Sequence, residues 1–156
     1  MQIGSIRFQN KTQACIRITN GVVPFQAVND CSGRNWPLDL KILIEEGVLA
    51  EVTDWYRREG RRKLEKLPAE ALSVETLAAA APLFQPAKIW GIGLNYVAHA
   101  GDLDEVAPEE IPASFMKPST TVIGYGDPIQ IPVLSNRTTG EAELGIVVGR
   151  TCKNVS

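Results

Sequence analysis

The sequence predicts an α+β protein, with a small β-meander and helices in residues 1–85 and the first part of a mostly β domain in residues 86–156. Three observations predict it. The first 26 residues alternate with the period of two that marks strands, residues 37–60 switch to the helical period, and the chain after Pro86 breaks into short strand-like pieces separated by Gly and Pro.

The meander starts with IGSIRF at 3–8 and QACIRIT at 13–19, where Ala14, Ile16 and Ile18 share one side and Cys15, Arg17 and Thr19 the other. Asn20-Gly21 tolerates the positive backbone angles of a type I′ turn, so it should join the second strand to a third near residues 22–26. From Pro37 on, Leu40, Leu43 and Ile44 form an apolar helical stripe closed by Gly47, and Leu49, Val52, Trp55 and Tyr56 form another closed by Gly60. The basic run Arg57, Arg58, Arg61, Arg62, Lys63 reads either as a phosphate-binding patch or as a solvated helix face interleaved with Glu59 and Glu65. The second reading also suits the dipole at a helix end. Residues 64–87, rich in Ala, Leu and Pro, read as a connector.

Bulk properties exclude several classes. A chain of 156 residues with 44% hydrophobic and 22% charged residues and a net charge of -2 is large enough for a core. It has no basic surplus for nucleic acid or a membrane surface. Cys15, Cys31 and Cys152 are odd in number, without a CxxC pair, and the chain holds one histidine, which argues against a disulfide framework or a zinc finger and for a reducing cytoplasmic setting. The start MQIGSIRFQNK has no signal-peptide pattern. The most apolar short stretch, 77–81, is far below the roughly 20 residues that cross a bilayer.

Three segments could carry chemistry. In GEAELGIVVG, 140–149, a strand would put Glu141 and Glu143 on one face; two adjacent carboxylates repel unless a proton or a hard dication lies between them. The same spacing fits an exposed acidic strand end, and two carboxylates alone make a weak metal site. In KIWGIGLNYVAHAGDL, 88–103, Gly91 and Gly93 follow an apolar strand, but Tyr96 replaces the third glycine of a dinucleotide fingerprint, which rules that fold out. His99 sits there among small and polar residues with Asp102 one helical turn on, a spacing that allows a general base and its orienting partner, or an ordinary structural histidine. In SFMKPSTTVIGYGDPIQIP, 114–132, Lys117 is either an anion-holding group or a surface lysine.

Taken in series, GLNYVAHA at 93–100, FMKPSTTVIGYGDPIQIP at 115–132 and EAELGIVVGRTCKNVS at 141–156 resemble the fumarylacetoacetate hydrolase family. The resemblance covers residues 86–156, with a looser likeness of the meander and helices to that family's small amino-terminal domain. It implies that Glu141 and Glu143 are two of the carboxylates holding a divalent ion, Mg²⁺ or Mn²⁺ with Ca²⁺ a further candidate, and that His99 transfers a proton or activates water. Tyr96 and Lys117 become the substrate-binding candidates. Asp102 stands where many acylpyruvase-like members have a glutamate, and the third metal carboxylate is expected beyond Ser156, so the catalytic domain reads as truncated. The implied activity is carbon-carbon bond hydrolysis of a small 2-oxo or 1,3-dioxo acid of acylpyruvate or fumarylacetoacetate type. A dication chelated by such a substrate polarises the carbonyl and favours an enolate. Because the same enolate serves decarboxylases, hydratases, dehydratases and tautomerases, lyase or isomerase chemistry is the alternative. A non-catalytic interaction module is the other reading. An unpaired apolar strand at 144–148 would seek a partner, so a homo-oligomer, a dimer first, is expected.

Overall fold

The computed structural model describes residues 1–8, 11–68, 71, 86–102, 106–124 and 126–155. The chain divides into two compact units, one of residues 1–84 with 123–156 and one of residues 85–122. Small antiparallel sheets and short helices make it α+β.

In the first unit β1 (Ile3–Phe8), β2 (Lys11–Ile18) and β3 (Gly21–Pro24) form an antiparallel meander in the order β1-β2-β3. Ile16 pairs with both Ile3 and Val23, and Cys15 with Gly4 and Pro24. The predicted alternation therefore sorts the sheet into two faces. Ala14, Ile16, Ile18 and Val23 join the main core, whereas Ile6, Cys15 and Val22 with Phe8 form a small cluster on the other side. Ile18 pairs with Gly21, so the β2-β3 turn is Thr19-Asn20, one residue earlier than expected. Neither turn residue has a positive φ, so the type I′ expectation fails, although the hairpin it was meant to close is there.

Directly after Pro24 comes α1 (Phe25–Ser32), a helix that the strand reading of residues 22–26 missed. Phe25, Val28 and Asn29 are its buried positions, the i, i+3, i+4 signature, which was legible had the window not been read as strand. Its start is satisfied from the sheet: the buried Gln13 side chain accepts a hydrogen bond from the Gln26 backbone N–H at 3.1 Å. Asn29, also buried, then pins the following loop by accepting from the Trp36 N–H at 3.1 Å and donating through Nδ2 to the Trp36 carbonyl at 2.8 Å. That fixes Trp36 against Phe25, with ring centroids 6.5 Å apart, and edge-on to Trp55 at 5.5 Å.

The two predicted helical stripes are present. Asp39 caps α2 (Leu40–Glu45), its carboxylate accepting from the backbone N–H groups of Lys41 and Ile42, and Gly47 follows with φ 70° as expected of a helix stop. Gly60 is different. α3 (Leu49–Trp55) does not end there but widens into a π-helical turn at Tyr56–Gly60 and runs on into α4 (Arg61–Leu64), with Gly60 at helical angles. A Cβ at Gly60 would stand 2.5 Å from Cζ3 of Trp55. The residue is a seat for the indole, not a helix terminator, which periodicity alone cannot distinguish.

The second unit contains β4 (Ile89–Gly93), α5 (Val97–Asp102) and β5 (Ala113–Lys117), with β4 and β5 paired antiparallel and a short 3-10 turn at Ser119–Thr121. The apolar strand expected in 88–103 is found, and His99 and Asp102, expected one helical turn apart, lie on α5. Most of the connector, including the apolar stretch 77–81, lies outside the described residues. The strand expected at 140–149 carries no ladder in the structure. A strand exists through a backbone ladder to a neighbouring strand, and among the described residues no such ladder is assigned to this segment; Leu144, Ile146 and Val148 are exposed.

Two outcomes test this packing. Helix propensity favours Ala over Gly by about 1 kcal/mol, yet Gly60→Ala should destabilise by about 1–3 kcal/mol in urea unfolding because the indole must move. A stabilised variant would show that the Trp55 contact does not govern the turn. Burial pushes the Cys15 thiol up to about 11 from 9.0, against a smaller lowering by a hydrogen bond from Gly4. Its folded pKa is raised, so its contribution is whole below pH 9 and is lost as pH climbs from 9 to about 11. The stability difference between wild type and Cys15→Ala should therefore shrink over that window by about 2 kcal/mol, and a constant difference would contradict it.

Candidate functional site

The hairpin of β4 and β5 presents two faces. Trp90 pairs with Met116 and Ile92 with Ser114 on one; Ile89 pairs with Lys117, Gly91 with Phe115 and Gly93 with Ala113 on the other. Phe115 lies across the strand onto Gly91, where an added Cβ would come within 2.4 Å of its Cζ. Lys117 shares that face, its Nζ 5.9 Å from the centre of the Phe115 ring. Lys117 stands at the end of β5 over an aromatic surface, and it is exposed.

β4 hands over to α5 through Leu94, which has a positive φ of 54°, a conformation costly for a leucine. This left-handed residue lies between Gly93 and Asn95, inside the GLNY motif, and turns the chain so that Tyr96 stands, exposed, immediately before α5. The Tyr96 carbonyl accepts from the Ala100 N–H at 3.0 Å, which starts the helix. His99 and Asp102 are both on α5, three residues apart as the sequence required, but their side chains lie outside the described part of the structure. Tyr96, His99, Asp102 and Lys117 accordingly all belong to the unit of residues 85–122.

Glu141 and Glu143 belong to the other unit. Both are exposed, in a stretch without regular hydrogen bonding, so the shared strand face is not formed. Their chemistry fits a hard dication, which takes oxygen ligands, but two carboxylates fall short of the six or so it needs. Among the described residues no three or more His, Cys, Asp or Glu side chains are grouped to hold a metal ion. The IGYGDP segment nearby in sequence is a local turn: Asp127 Oδ2 accepts from the Gly124 N–H at 2.8 Å, and Gly126 has φ 80°.

A surface cleft of about 390 Å³ in the first unit is lined by Arg34, Glu51, Asp54, Trp55, Arg58 and Glu59. It overlaps the basic run, and the charges there are largely matched: Arg58 to Asp54 at 2.8 Å, Lys63 to Glu59 at 2.9 Å, Arg61 to Glu65 at 3.1 Å and Arg34 to Glu51 at 3.6 Å. The Glu59 carboxyl is held below the usual range, first by its hydrogen bond from Lys63. The three exposed i,i+4 pairs among them, those of Arg58, Arg61 and Lys63, support the solvated-face reading of the basic helix over a phosphate patch.

No helix among the described residues is long and apolar enough to cross a membrane. Residues 88–156 match the family model described as the fumarylacetoacetate (FAA) hydrolase C-terminal domain. The chain is 49% identical over 74 residues to an uncharacterized protein of Archaeoglobus fulgidus, covering 47% of this chain and 29% of that one. It is 39% identical over 84 residues to a protein of Xenopus laevis named as a mitochondrial oxaloacetate tautomerase, covering 54% and 26%. It is 46% identical over 68 residues to a putative hydrolase of Burkholderia ambifaria, covering 44% and 24%. The matches thus span 24–29% of the length of these relatives. The segment that contains Tyr96, His99, Asp102, Lys117, Glu141 and Glu143 is thus the part of the chain that is similar to the fumarylacetoacetate hydrolase family.

Proposed function

We propose that this chain contributes to a divalent-metal-dependent enzyme acting on a small 2-oxo or 1,3-dioxo acid, with carbon-carbon bond hydrolysis as its reaction. The observation that carries the reading is the family match over residues 88–156, which takes in every proposed site residue. Glu141 and Glu143 would hold Mg²⁺ or Mn²⁺, and the bound ion supplies Lewis acidity at the substrate carbonyl. Lys117, a point charge at the end of β5, holds the substrate carboxylate, and Tyr96 supplies a second contact to the substrate. His99 moves the proton, to the departing carbon or from water, and Asp102 orients the imidazole from one turn further along α5. The exposed apolar residues at 144–148 favour association with a second copy, in keeping with a homo-oligomer.

The name of the Xenopus relative favours a second reading, tautomerisation of a 2-oxo acid, which needs the same carbonyl polarisation and a proton carrier but no attacking water. The residues 1–85 then form a separate amino-terminal domain and 86–156 the start of the catalytic one.

The metal assignment is tested by calorimetric titration of Mn²⁺. Glu141→Gln and Glu143→Gln should each weaken binding on the order of tenfold; unchanged affinity in both would remove them from the site. The two reactions separate in parallel assays of acylpyruvate cleavage and oxaloacetate enol-to-keto conversion, both expected to vanish with EDTA. Conversion without cleavage would decide for the tautomerase, and turnover that resists chelation would defeat both.

A further inference from the structure

On the Lys117-bearing face of the hairpin three residues form one assembly. Gly91 leaves a bare patch of backbone, the Phe115 ring from the opposite strand position lies on it, and the Lys117 ammonium stands 5.9 Å from the ring centre. Phe115 keeps a large apolar surface, 47% exposed, on a two-stranded sheet. The period of two along β5 puts Phe115 and Lys117 on one face, so the ring that covers Gly91 also lies within reach of the lysine ammonium. An aromatic face draws an ammonium towards its centre and so narrows the positions available to a long, flexible side chain.

Resting on the reading of Lys117 as the anion-holding group, we propose that Phe115, seated on Gly91, is a positioning residue that sets where the Lys117 ammonium meets the carboxylate of a 2-oxo acid. Any side chain at Gly91 would lift the ring, so Gly91 belongs to the same device. The ring touches no reacting atom; it acts through the lysine.

The test uses the full chain with ¹³C at the lysine Cε positions, and oxalate as the probe. In the wild type the ring current of Phe115 moves the Lys117 ε-CH₂ signal away from those of other lysines, and oxalate shifts it further. Phe115→Leu and Gly91→Ala should each abolish the ring-current shift and weaken oxalate binding about two- to fivefold, while Phe115→Tyr keeps both. If Phe115→Leu disturbs the hairpin, seen as loss of the Trp90 to Met116 cross-strand contact, Gly91→Ala and Phe115→Tyr carry the test. Loss of the ring-current shift with unchanged oxalate affinity overturns the positioning role, provided that Lys117→Met weakens binding. Should Lys117→Met leave affinity unchanged, or the wild type fail to respond to oxalate, it is the anion-holding reading that falls.

Discussion

The amino-terminal unit depends on where the Trp55 indole lies. The ring rests on Gly60 and packs T-shaped against Trp36, which Asn29 fixes through two hydrogen bonds to the Trp36 backbone. Core, loop and helix are tied together there. The helix must widen into a π turn to keep Gly60 beneath the ring while α4 continues, and Leu64 then reaches the same core. Each part alone is weak, since a neutral hydrogen bond is worth about 1 kcal/mol and an aromatic pair about the same beyond its buried area. Their sharing of one ring makes the unit a single packing problem.

The hairpin of the second unit uses the same device at smaller scale, with Phe115 on Gly91 in place of Trp55 on Gly60. Here the ring stays at the surface. Its consequence is chemical, because the lysine two residues on is drawn over it. Leu94 adds a second local constraint: its left-handed backbone lies where the strand gives way to the helix bearing His99 and Asp102. Strain of this kind persists only where the surrounding structure over-determines it, and it often accompanies functional segments.

The site was legible in part because its residue types lie on short local elements. The strand before Gly93, the helix holding His99 and Asp102, and the strand ending at Lys117 all follow from period and punctuation within a few residues. Glu141 and Glu143 were different. Their shared face depended on a strand, and a strand is not a local property, so apolar alternation at 144–148 could announce the tendency without supplying the neighbour. The α1 helix was missed for a related reason. Phe25, Val28 and Asn29 carry helical spacing, but the β-branched Val22 and Val23 just before them extend the strand signal across Pro24.

The sequence by itself determined the local order of elements, the two-faced alternation of β2, the helix stop at Gly47 and the three motifs that mark the family, since each rests on contacts or backbone preferences spanning a few residues. Only the tertiary structure decided that Gly60 and Gly91 are seats for aromatic rings and that Lys117 stands over one of them. Those facts arise from side chains meeting across a turn or between strands, and spacing along one chain does not encode which ring will fill the space a missing Cβ leaves.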